Sequence, residues 1–386
     1  MDIYLDHNAT TQIDNEVLEE MIPFLKNEFG NPSSIHKHGR SVRIKLEEAR
    51  YRVADIIDAS PSEIFFTSGG SESDNLAIKG AFYNLKSKGN HIITTKVEHP
   101  AVLETCQYLE KNNGANITYL SVDHEGMLNL EELKNAITDK TILISIMAAN
   151  NELGTIYPLK EISVIAREKN ILFHSDAVQA IGKIPISVKD VRLDLLSLSG
   201  HKIYGPKGIG ALYIRKGIKL ERLIHGGHQE MGRRSGTENT AGIVALGKAC
   251  EIAKRDLSKN SERIKKLRDK LENGLIASID DILINGHKEN RVQNTLNVSF
   301  KYIEGEAILL HLDMHNIAAS SGSACSSGSL DPSHVLLALG LSHEDAHGSI
   351  RFSLGRSTSE AQIEAVLNVM PKIVATLRSM SPITKS

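Results

Sequence analysis

Short unbroken apolar runs alternate, through the first part of this chain, with stretches whose apolar residues recur at helical spacing. The runs cover residues 64–67 (IFFT), 92–95 (IITT), 141–147 (TILISIM), 171–174 (ILFH), 195–198 (LLSL) and 210–214 (GALYI). Runs that are apolar at nearly every position predict strands covered on both faces. Between them, Leu159, Ile162, Ile165 and Ala166 keep helical spacing, and Pro100 and Pro158 stand where a first helical turn would begin. Alternation of strand and helix predicts a mainly parallel sheet sandwiched by helices.

The pattern changes near residue 255. Residues 254–273 (KRDLSKNSERIKKLRDKLEN) are strongly charged and helical in spacing, which predicts a connecting helix with a solvated face. Beyond it, residues 294–300, 317–320 and 349–354 predict fewer and shorter strands, and a last helix is expected from about Ser359 to Leu377. The expected class is therefore α/β. A large domain would span residues 16–255, and a smaller α+β domain would combine residues 1–15 with residues 256–386. No internal repeat or low-complexity segment interrupts this plan.

Composition narrows the function. With 386 residues the chain is long enough for one large and one smaller domain. A net charge of −2, with 24% charged and 41% hydrophobic residues, gives no reason to expect nucleic acid or a membrane as partner. The start, MDIYLDHNATT, has neither a basic region nor an apolar one, so no secretory signal is visible. No apolar run approaches the ~20 residues that a membrane helix needs. Cys106, Cys250 and Cys325 lie far apart, which supports neither a zinc site nor a disulfide framework and fits a reducing, cytoplasmic setting. Histidines are numerous, but none has the spacing of a metal motif, so no metal site is expected.

Four segments carry candidate chemistry. Residues 68–75 (SGGSESDN) follow a predicted strand and open a predicted helix. Glycines there allow a tight turn, and the N–H groups of a helix start point at an anion. Ser71 could cap that helix or donate to a phosphate, the plainer alternative being a capped turn without ligand. Asp176 follows the 171–174 strand, on the rim where α/β sheets bind ligands, although in isolation a helix N-cap is its simplest role. Lys202 follows the 195–198 strand directly after Ser199, Gly200 and His201. A phosphate cradle, a carboxylate and a lysine at strand ends are what a pyridoxal-phosphate site requires. The fourth segment, residues 320–329 (SSGSACSSGS), sets Cys325 alone among small residues, a setting for a reactive rather than a structural thiol. Cys106 and Cys250 lie in helical patterns and read as core.

These segments, with YLDHNATT, FGNPSS, EHPAV, ANNELGT, DAVQAIGK, GGHQE, RRSGTEN, YIEGEAI and IRFSLGR, run in one order from end to end of the chain. In this the chain resembles the cysteine desulfurases of the NifS/IscS group, class V of the pyridoxal-phosphate transferases with fold type I. The resemblance implies pyridoxal 5'-phosphate as cofactor, L-cysteine as substrate, and L-alanine plus a persulfide on Cys325 as products. It implies a homodimer and a sulfur-acceptor protein for iron–sulfur cluster assembly or tRNA thiolation, with no direct contact to nucleic acid.

By the same resemblance Lys202 would be the Schiff-base lysine, Asp176 the partner of the ring nitrogen, and Gln179 that of the ring oxygen. His99 would stack on the ring and accept a proton. Gly70, Ser71, Ser199 and His201 would hold the phosphate, with Thr237 reaching in from the second subunit. Asn151 would contact the cofactor, and Arg351, with Asn31 nearby, would bind the substrate carboxylate. The chain departs from many relatives, which have Ala-Thr where it has Gly70-Ser71; serine keeps the hydroxyl. IscS-like members often carry a longer tail than follows Arg378 here, which leans the expectation towards NifS-like or archaeal-type members. Selenocysteine lysis or another pyridoxal-phosphate transfer is the rival reading, and a catalytically retired scaffold the rival class. Retirement would show as loss of Lys202, Asp176 or Cys325, and all three are present.

Overall fold

The computed structural model describes residues 2–321 and 331–381. In chain order its strands are β1 (Ile3–Tyr4), β2 (Ile64–Thr67), β3 (His91–Thr95), β4 (Asn116–Leu120), β5 (Thr141–Ser145), β6 (Leu172–Asp176), β7 (Leu195–Ser199), β8 (Gly210–Ile214), β9 (Ile282–Asn285), β10 (Thr295–Phe300), β11 (Ile317–Ala318) and β12 (Ser349–Ser353). Seven of them form one sheet in the order β2-β8-β7-β6-β5-β3-β4. The pairings from β7 through β6, β5 and β3 to β4 are parallel, and only β8 runs antiparallel to its two neighbours.

The expected strands buried on both faces are present. Successive residues of one strand enter different hydrophobic clusters, because side chains alternate across a sheet. Ile93, Ile144, Phe173 and Leu196 pack on one side. Ile92 and Leu143, and towards β2 and β8 Phe65, Leu195 and Leu212, pack on the other. Burying each such side chain contributes ~1.5–3 kcal/mol. Helix Pro100–Asn113 begins with its proline, as expected, whereas Pro158 caps helix Leu159–Glu168 instead of opening its first turn. The run 141–147 ends its strand at Ser145, because the Met147 N–H turns away to the Glu98 carboxylate.

A second hydrophobic cluster joins the two ends of the chain. In it Ile3 and Leu5 pack with Leu296, Phe300, Ile350 and Phe352 and with the closing helix. Strand β10 lies between β9 and β12 with antiparallel pairing, while β1 pairs in parallel with β11. The closing helix is Glu360–Met380, capped by Ser359. The charged helix expected from residue 254 is part of a longer one, Thr240–Ser278. Its first turns (TAGIVALGKACEI) are small and apolar nearly all round and are buried, so they show no amphipathic stripe. No helix among the described residues is long and apolar enough to cross a membrane.

Candidate active site

Because β8 reverses direction twice over, β2 points the same way as β7, β6, β5 and β3. The carboxyl ends of all five therefore meet on one edge of the sheet, and every segment singled out in the large sheet leaves from that edge. A cavity of about 320 Å³ opens there.

The turn after β2 builds one wall. Gly69 has φ of +153°, where a side chain would be strained, and it is the N-cap of helix Gly70–Leu85. A Cβ on Gly70 would stand 2.7 Å from Val178 Cγ2, so the backbone can approach this close only as glycine. Ser71 lies inside the first turn and does not cap the helix. With no side-chain cap, the first-turn N–H groups stay available to an anion. Ser199 and His201 line the same cavity.

Lys202 ends the short turn Gly200–Lys202 that follows β7. Its ammonium donates to the carbonyl oxygens of Asn8 at 2.6 Å and Ala9 at 2.7 Å. Asp176 is the last residue of β6 and is buried. Its Oδ1 accepts the Val178 N–H at 2.9 Å, so it closes a turn and caps no helix. Burial lifts its carboxyl to about 6, against the pull of the Val178 N–H and Lys202. Asp74 lines the cavity too; burial, with Asp176 close by, raises its carboxyl well above the usual range. Its Oδ1 has no hydrogen-bond partner among the described residues.

His99 caps helix Pro100–Asn113, its Nδ1 accepting the Ala101 N–H at 3.1 Å. Burial, then the nearby Lys202, holds its imidazole down at about 4. The ring is thus neutral at working pH, and with Nδ1 accepting, its proton sits on Nε2. His99 lines the cavity, where the expected role of proton acceptor would place it.

Arg351, on β12, is 2% exposed. Its guanidinium donates to Asp6 Oδ1 at 2.8 Å and to the Asn151 carbonyl at 3.1 Å, and its Nε has no partner among the described residues. Asn151 Oδ1 is likewise buried and unpartnered among them. Gln179 lines the wall between Asp176 and Asn8.

Asn31 and Thr237 do not line this cavity. Asn31 is exposed and uses its side-chain oxygen on the Ser33 N–H. Thr237 is exposed and borders a separate cleft beside Phe66, Ser68 and Arg234. Cys325 lies outside the described residues. Cys106 and Cys250 are fully buried, and burial pushes both thiols up to about 12. No metal-binding cluster occurs among the described residues. Sequence reading missed Asn8 and Asp74, which are buried and line the cavity.

The donor set fits a particular ligand chemistry. A glycine-backed helix start suits a phosphate, a buried carboxylate suits a cationic ring nitrogen, and a lysine amine suits a carbonyl carbon. The guanidinium fork of Arg351 suits a carboxylate. Pyridoxal 5'-phosphate carrying an amino acid has these groups together.

The comparisons agree with this chemistry. The aminotransferase class-V family matches residues 3–366. The cysteine desulfurase IscS of Clostridium botulinum is 56% identical over 383 residues, covering 99% of this chain and 96% of the relative. A solved NifS-like protein superimposes with a TM-score of 0.92 at 43% identity, covering 98% of this chain and 100% of the other. A structure titled SspA in complex with cysteine gives a TM-score of 0.81 at 40% identity, covering 91% and 98%.

Proposed function

The chain belongs to the aminotransferase class-V family, and from that premise we infer that it is a pyridoxal-phosphate-dependent cysteine desulfurase. The observation that carries this reading is that Lys202, Asp176 and Arg351 line one cavity. When bound, the cofactor supplies a conjugated ring that draws electrons from the bonds of an attached amino acid.

Each side chain then has a task. Lys202 holds the cofactor, and the N–H groups after Gly69, with Gly70, Ser71, Ser199 and His201, hold its phosphate. Asp176, ionised above about 6, keeps the ring nitrogen protonated. Gln179 would donate to the ring oxygen, His99 would cover the ring face, and Asn151 would border it. Arg351 would bind the carboxylate of L-cysteine. A second copy of the chain would bring Thr237 to the phosphate, and Asn31 would join Arg351.

Cys325 accepts the sulfur. Its thiolate would form an S–S bond to the substrate sulfur as the C–S bond breaks; the electron pair of that bond stays with the carbon fragment, which takes up a proton and ends as alanine, while Cys325 carries the persulfide. Atoms balance, since one thiol and one cysteine give one persulfide and one alanine. His99 would be the acid–base group beside the ring. The persulfide then passes to an acceptor protein for iron–sulfur cluster assembly or tRNA thiolation. Three cysteines without a disulfide pattern support a cytoplasmic setting for a thiol-based carrier. The large sheet with residues 16–255 and the second cluster with 1–15 and 256–386 would act as two domains.

The test is to add L-cysteine to the purified protein and to measure alanine and sulfide, with candidate acceptors supplied in turn. Lys202→Ala should lose the visible absorbance of the bound cofactor and all turnover. Full activity in that variant would refute the assignment.

A further inference from the structure

Lys183 lies four residues beyond Gln179 of the cavity wall, in the turns that follow β6, and its half-buried amine has an unusual set of partners. Its Nζ donates to Gln179 Oε1 at 2.5 Å and to Asn8 Oδ1 at 3.0 Å. Both acceptors are amide oxygens, and no carboxylate lies within ion-pair distance among the described residues. The charged groups that act on it are Lys202 and Arg351, both cationic, and His7 stands close by. Burial and those two charges push its amine well below the usual lysine range.

The two amides it touches belong to the cavity wall. Asn8 is 2% exposed and Gln179 6%. Asn8 is fixed from every side: Oδ1 also accepts from Asn294 at 3.0 Å, while Nδ2 donates to the Asn151 carbonyl and Thr295. Gln179 is held otherwise, with Nε2 donating to the Asn8 carbonyl at 2.9 Å. That same carbonyl accepts from Lys202. Lys183, Gln179, Asn8 and Lys202 therefore form one continuous chain of hydrogen bonds.

A primary carboxamide has an oxygen end and an N–H end of nearly equal shape, so its partners decide which way it faces. Lys183 donates here, and the atom it faces is the amide oxygen, Gln179 Oε1. The amide nitrogen of Gln179 is thereby turned to the other side, with one hydrogen on Asn8 and one left for the cavity. We propose that Lys183 is a positioning residue for the reaction: by holding Gln179 Oε1 it compels Gln179 to present an N–H donor to the cofactor's ring oxygen. Without Lys183 one of the two contacts that orient the amide is lost, only the Asn8 carbonyl still holding Nε2, and an amide that turns over presents its own oxygen, which would repel a ring oxygen carrying negative charge. The inference rests on the reading of Gln179 as the partner of that oxygen.

The test uses the visible absorbance of the cofactor-loaded protein, titrated with pH without substrate. A donor on the ring oxygen favours loss of the proton that this oxygen shares with the Lys202 nitrogen. Its removal should raise the midpoint by about one pH unit, a tenfold change in proton affinity. Lys183→Met and Gln179→Leu should each give this rise, and the double variant no more than either alone, because both remove one interaction. Lys183→Arg, still an obligate donor, should restore the wild-type midpoint. Should Lys183→Met not accumulate folded, Lys183→Gln gives the same reading, since its amide can face Gln179 with either end. A wild-type midpoint in the Lys183 variants beside a raised one in Gln179→Leu would overturn the inference alone, as would shifts that add in full. An unmoved midpoint in Gln179→Leu would overturn the reading of Gln179 and this inference with it.

Discussion

Arg351 and Asp6 form an ion pair at 2.8 Å, the guanidinium 2% exposed and the two residues 345 positions apart. The pair fixes one end of the Arg351 fork, and the Asn151 carbonyl fixes another. Arg351 also lines the cavity, and its Nε has no partner among the described residues. A lysine has no fork, and it could not keep Asp6, the Asn151 carbonyl and a substrate carboxylate together. Arg351→Lys should raise KM for L-cysteine about 10–100-fold, the loss of one hydrogen bond to a charged group, with the visible spectrum of the cofactor unchanged. An unaltered KM would remove Arg351 from substrate binding.

The missing side chain of Gly70 is a packing requirement as well as an approach for phosphate. An added Cβ would stand 2.7 Å from Val178 Cγ2, and a valine side chain is stiff about its first torsion. Gly70→Ala should therefore lower stability by ~1–3 kcal/mol, as overpacking does, and weaken cofactor retention. The double variant Gly70→Ala, Val178→Ala should recover much of both. A stable Gly70→Ala protein with normal cofactor content would show that this wall yields.

Glu98 predicts a pH dependence of folding. It is fully buried and accepts from the Met147 N–H and the Thr95 hydroxyl. Burial raises its carboxyl to about 8. In the unfolded chain it ionises near 4.5, so between these values the native state holds a proton that the unfolded state has lost. Its contribution is complete below about 4.5 and is lost as pH rises towards 8. Glu98→Gln mimics the protonated form and should match wild type at low pH. By pH ~8 it should be the more stable of the two, by on the order of 1–3 kcal/mol after allowance for relaxation. Denaturant midpoints that run parallel across this range would contradict the assignment.

What could be read in the sequence, and what could not, follows from how each group gets its neighbours. Lys202 and Asp176 were legible because each stands directly after an apolar strand, and strand ends converge in a parallel sheet. Strands β4 and β9 were not, since both lie at sheet edges and are partly exposed, which breaks the apolar run. Asn8, Asp74 and Lys183 lie inside motifs that were legible, but nothing in the local sequence tells which polar residue of each motif turns into the cavity or its wall. His99 was legible as a site residue, but its proton position depends on the Ala101 N–H, a detail only the folded cap supplies. Ser71 was expected as a possible cap; the turn instead begins one residue pair earlier, at Gly69.

The central claim is that sulfur leaves L-cysteine for Cys325 on a cofactor held by Lys202. The most direct measurement is to treat the loaded protein with L-cysteine, alkylate it at once, and locate added sulfur on peptides by mass spectrometry. Cys106 and Cys250, buried and with thiols held protonated to about 12, should remain unmodified. The account predicts the extra sulfur on Cys325 alone, with alanine released in equal amount and neither product formed by Lys202→Ala. Sulfur on Cys106 or Cys250 with Cys325 unmodified, or alanine formed undiminished by Cys325→Ala, would contradict it.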